Sequence, residues 1–70
     1  MNGLIEICVC DKDDKALLEY EAYCVPRKGD LFSIISEQEG NKQGEITDIV
    51  WNVSGGKLTG VVVYLENIRY

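Results

Sequence analysis

A chain of 70 residues and 7.9 kDa, 46% apolar and 27% charged, has the composition of one small globular domain rather than of a disordered, collagen-like or low-complexity segment. At this size a folded chain keeps roughly 4,400 Å² of the roughly 11,500 Å² that an unfolded one exposes, so any core is thin. The formal charge of -5, from 12 acidic and 7 basic side chains, repels phosphate at long range and disfavours nucleic acid as a partner unless a local basic patch forms.

The charge is spread evenly, with no basic half and no acidic tail, which makes solubility its first use and a basic protein partner, met by an acidic surface that imitates DNA, its sharper one. No apolar run approaches the roughly 18 residues of a membrane span. The start Met-Asn-Gly-Leu-Ile-Glu lacks a basic n-region and a small-residue cleavage site, so a cytoplasmic location is expected.

Residues 3–10, Gly-Leu-Ile-Glu-Ile-Cys-Val-Cys, are rich in strand formers and too short for a stable helix. Asp11-Lys12-Asp13-Asp14-Lys15 follows as a hairpin loop, since Asp side chains bond their own backbone in turns. Residues 16–25 carry helix-favouring Ala, Leu and Glu. Alternation nevertheless sets Ala16, Leu18, Tyr20, Ala22 and Cys24 opposite Glu19 and Glu21, and the preceding hairpin signal decides for a strand. Pro26-Arg27-Lys28-Gly29-Asp30 breaks both periodicities and turns the chain.

A third strand is expected over 31–36, a polar loop over 37–43, and a fourth strand over 45–53. In that fourth strand Ile46, Asp48, Val50 and Asn52 are half polar, whereas Thr47, Ile49, Trp51 and Val53 are mostly apolar, which assigns Trp51 to the core. The double glycine of Ser54-Gly55-Gly56-Lys57 suits a tight hairpin turn. The last strand, 59–65, is an uninterrupted β-branched run of the kind buried on both faces. Five short strands about a dozen residues apart predict an all-β fold: an antiparallel meander closed into a small barrel or a curled sheet, without a domain boundary. The expected core is Ile5 or Leu4, Leu18, Leu31, Ile46 or Ile49, Trp51, Val61 and Val63.

Catalytic and metal chemistry find little to use. The chain has no His, so nucleophilic triads and most general acid–base pairs are missing their usual base. Cys8, Cys10 and Cys24 are an odd number without zinc-ribbon spacing. Cys8 and Cys10 share a strand face and read as buried, reduced thiols rather than a redox pair, which needs a turn between its sulfurs. Asp11, Asp13 and Asp14 imitate a calcium loop, but its glycine is missing and position 22 is Ala, so a solvated turn is the better reading. Gly55-Gly56 lacks the Lys-Ser/Thr and helix start of a phosphate loop. No enzyme activity and no cofactor are expected.

From Val25 onward, Val25-Pro26-Arg27-Lys28-Gly29-Asp30, then a short apolar strand, then Gly44-Glu45-Ile46-Thr47-Asp48-Ile49-Val50-Trp51 and a Val-rich strand, the chain resembles short orphan proteins of phages and bacterial mobile elements. That resemblance implies a five-stranded SH3-like barrel and an accessory or inhibitory role. The chain is also similar to the KOW motif, in which Gly-Asp opens a strand and a later Gly starts the next. Gly29-Asp30 and Gly44 match that pattern, while the basic residues such modules use for RNA are missing.

Two function classes follow. In the first, the chain is a non-enzymatic acidic module that binds a protein, or pairs with itself as a homo-oligomer, through an unprotected strand edge at Val61, Val62, Val63 and Tyr64 or along 3–10. In the second, a KOW-like module contacts nucleic acid through Arg27, Lys28, Lys42 and Lys57, with Arg69 in support and Tyr20, Tyr23, Tyr64 or Tyr70 stacking on bases.

Overall fold

The computed structural model describes residues 3–38 and 40–69; Met1, Asn2, Glu39 and the candidate stacking residue Tyr70 lie outside the described residues. Ile5, Ile7 and Val9 alternate with Glu6, Cys8 and Cys10 along β1 (Ile5–Cys10). A turn closed by the Asp11 carboxylate, which accepts from the backbone N–H of Asp13 (2.9 Å) and Lys15 (3.0 Å), leads into β2 (Ala16–Ala22). Tertiary pairing overrides the helical propensity of that segment: Ala22, Tyr20 and Leu18 sit opposite Ile5, Ile7 and Val9 on one face, and Glu21 and Glu19 sit opposite Glu6 and Cys8 on the other.

Residues 23–30 lead to β3 (Leu31–Ile34), which pairs with the start of β4 (Lys42–Ser54). Gly55 and Gly56, at φ 60° and 76°, then make the two-residue turn into β5 (Lys57–Arg69), where positive φ at both positions matches the twist of the flanking strands. The described residues are all-β and contain no helix.

The sheet order is β2-β1-β5-β4-β3, and β1 runs parallel to β5 through Ile7↔Val61, Cys8↔Val62, Val9↔Val63 and Cys10↔Tyr64. The sheet is therefore mixed, which corrects the expected antiparallel meander. Residues 23–30 carry the chain from one sheet edge to the other, leaving the first and last strands as neighbours that run the same way. Flat, a five-stranded sheet would hold its edges about 19 Å apart, four spacings of about 4.8 Å. Here the rings of Tyr20 on β2 and Phe32 on β3 lie 5.8 Å apart, so the sheet curls into a half-barrel whose seam is bridged by side chains and not by a ladder.

Bulges supply the curl. Across Gln43/Glu45 the partners step from Arg69 to Glu66, with Asn67 at φ 54°. A Cβ at Gly44 would meet Glu66 O and Leu65 Cβ at 3.2 Å and Ile68 Cγ1 at 3.3 Å, so any side chain here presses on the corner. A second bulge between Ile46 and Asp48 inserts Thr47.

That extra residue puts Ile46 on the same face as Ile49 and Trp51, so the choice between Ile46 and Ile49 disappears and both face inward. The fully buried core is Ile7, Val9, Ile46, Val61, Val63 and Leu65. Ile5 and Leu18, also expected in the core, pack against it partly buried, and two other expected core residues lie outside it altogether. Leu31 pairs with Glu45 on the outer face and is 71% exposed; Trp51 faces the same side as Val61 but is 55% exposed.

Candidate functional site

β5 is central, flanked by β4 on one side and β1 on the other, and Val61 and Val63 are buried beneath the sheet. Val61, Val62, Val63 and Tyr64 are the four residues that pair with β1, so the expected binding edge is an interior ladder. The alternative edge along the first strand fails for the same reason, since β1 lies between β2 and β5. Val62 and Tyr64 point to the outer face, where Tyr64 hydrogen-bonds Asp14. That bond, with desolvation behind it, raises the phenol above its ordinary pKa.

The basic candidates do not form one patch. Lys42 opens β4 and Lys57 opens β5 across the tight turn from its end, so twelve steps of about 3.3 Å separate them along a strand in a molecule 38 Å long. Arg27 and Lys28 lie in the turn before β3, where the Arg27 N–H donates to the Asp30 carboxylate (2.9 Å) and Gly29 N–H donates to Ile46 O (2.7 Å). Of the candidate stacking rings, Tyr20 is spent on Phe32 and Tyr23 is 76% exposed.

The structure gathers instead an apolar arm at the turn end of the β4–β5 hairpin. β1 pairs with β5 only from Val61 onward, so residues 57–60 lie beyond the ladder that joins the two strands. Val50, Trp51, Val53 and Leu58 are 43%, 55%, 62% and 43% exposed. Their registers place them on both faces: Val50 opposite Val62 on the outer side, Trp51 opposite Val61 on the inner, and Val53 opposite Leu58 beyond a bulge at Thr59. Thr59 Oγ1 donates to Asn52 O (3.0 Å) and braces that bulge. Alternation assigned only one face of this strand to burial and so missed the arm. The available signal was apolar residues at both parities, Ile49, Val50, Trp51 and Val53, just before a glycine turn.

The outer face beside β2 is different in character. A groove of about 340 Å³ runs over Gly60, Val62 and Cys8 beneath Glu6, Glu19 and Glu21. The cysteines are all free, and Cys8 Sγ and Cys10 Sγ lie 3.7 Å apart. Burial, then the hydrogen bond and charge of Cys8 and the charges of Asp14 and Asp11, push the Cys10 thiol up to about 11. Cys24, set by alternation on the face of Leu18 and Tyr20, lies beyond the end of β2 and is exposed. Among the described residues no three His, Cys, Asp or Glu side chains converge as a metal site.

Comparison of the chain with protein-family models, curated proteins and solved structures yields no match. Among the described residues no helix is long and apolar enough to cross a membrane.

Proposed function

We propose that the chain is a non-enzymatic protein-binding module whose contact element is the apolar arm of the β4–β5 hairpin. One observation carries the reading: Val50, Trp51, Val53 and Leu58 stand exposed on both faces of one hairpin end, while among the described residues the fully buried core holds six side chains. Exposed apolar groups concentrated this way lower the free energy of the free chain least and of a complex most, because burial removes them from water. Trp51 is of a residue type enriched at binding hot spots, and the aliphatic groups around it supply the surrounding contacts that exclude water.

The absence of His from the sequence and the high pKa of Cys10 argue against nucleophilic chemistry. An accessory or inhibitory factor, as the resemblance to small phage and mobile-element proteins implies, fits a module that acts by covering a partner.

The test uses the full chain and its Trp51→Glu and Val53→Glu variants as baits in extract of the native host, with quantitative mass spectrometry. A partner retained by the wild type and lost from both variants, with retention insensitive to salt, is the expected result. Retention of the same partner by all three chains overturns the arm as the contact. A retained oligonucleotide with steep salt dependence transfers the reading to the nucleic-acid alternative built on Arg27, Lys28, Lys42 and Lys57.

A further inference from the structure

A second surface, independent of the hairpin arm, lies at the seam of the half-barrel. Burial falls from the centre of the sheet to its edges: Ile7, Val9, Val61 and Val63 are at most 1% exposed, whereas Leu18 and Tyr20 on β2 and Phe32 and Ile34 on β3 are only partly buried although they pack on the same core. β2 pairs with β1 alone and β3 with β4 alone, so the facing backbones of both edge strands have no ladder along the seam. The molecule's exposed surface of 5287 Å² exceeds the roughly 4,400 Å² expected for its mass, as an unclosed barrel should.

We propose that this seam accepts an extended segment of a partner protein that pairs with the free side of β2, with apolar side chains at alternate positions and Lys or Arg between them. The geometry sets both halves of that pattern. An added strand continues the pleat, so one set of its side chains takes the place of the Phe32 ring against Tyr20 and joins Leu18 over the core, and the other set stands beside Glu19 and Glu21 on the outer face. Glu6 lies one strand further in, opposite Glu21, within reach of a long basic side chain.

A second copy of this chain is a poor occupant. A symmetric antiparallel pair centred on β2 sets Glu19 against Glu19, and none of the five strands alternates Lys or Arg with apolar residues. The two carboxylates thus protect the edge from self-pairing and select a basic strand.

The experiment mixes the full chain with nine-residue peptides and reads amide hydrogen exchange along the chain. A peptide alternating Val or Thr with Lys should slow exchange in β2. A peptide alternating the same residues with Glu should not, and neither should the lysine peptide rearranged into one apolar and one basic block. Charge reversal by Glu19→Lys with Glu21→Lys should weaken the lysine peptide by roughly tenfold or more and admit the glutamate peptide, and Glu19→Gln with Glu21→Gln should weaken it if the reversal unfolds the chain. The inference is overturned if the alternating lysine peptide leaves β2 exchange unchanged, if the block peptide protects β2 equally, or if the soluble, folded variants bind as the wild type does.

Discussion

Cys10 shows how position along a strand becomes chemistry. A thiol in water ionises near 9, but under the outer face of β1, beside Cys8 and near Asp14 and Asp11, this one is held neutral up to about 11. The folded chain therefore keeps the proton that the unfolded chain releases, and unfolding is favoured once the unfolded thiol ionises. The stability linked to the neutral thiol is complete below pH 9 and is lost as the pH rises through about 11. Urea midpoints measured from pH 8 to 11 should fall further for the wild type than for Cys10→Ala. Tyr20 and Tyr64, whose phenols shift in the same direction, are present in both chains; Tyr20 cancels in the difference, and Tyr64 does so apart from the part of its shift that the Cys10 charge contributes.

At the scale of elements, the long hairpin has two glycine positions with different physics. Gly56 has open space where a Cβ would go but a φ of 76°, so Gly56→Ala should cost about 1 kcal/mol through backbone strain alone. At Gly44 the Cβ would press on Glu66 O and Leu65 Cβ at 3.2 Å, in the corner that lets β3 and β2 approach each other. Gly44→Ala should cost about 1–3 kcal/mol and open the corner as well. Thermal unfolding checks the energies. Wider amide exchange in β3 and in residues 66–69 for Gly44→Ala, without the same change for Gly56→Ala, checks the mechanism.

Across the whole molecule, closure depends on joining the two ends of the chain. β1 pairs residue 7 with residue 61 in a parallel ladder, so loop-closure entropy must be lost before the central contact forms. Refolding should therefore take milliseconds to seconds in stopped-flow circular dichroism, although each hairpin alone forms in microseconds. Refolding completed within the microsecond range would show that β1 and β5 do not set the rate.

Much of the half-barrel was legible because it depends on local physics. Alternation, the aspartate turn and the double glycine marked where strands start and stop, and β-branched residues at 61–63 marked a strand buried in the sheet. The burial of Val61 and Val63 followed from the same pattern, whereas Ile46, which alternation sets on the half-polar face of its strand, reaches the core only through the bulge at Thr47. Neither strand order nor direction has such a local signature. That β1 lies parallel to β5 depends on residues 23–30 crossing between edges, and it is this crossing that removed Val61–Tyr64 from any exposed edge.

Trp51 was misread for a related reason. Its parity is correct, facing the side of Val61, but burial also requires strands on both sides, and β3 pairs with β4 only over residues 42–45, which leaves no strand beside Trp51 on that side. Which face of a strand a residue prefers is written in the chain, since side-chain alternation is a property of each strand alone. Which faces are covered and which edges stay open is set by the assembled sheet, because both depend on where separate strands meet.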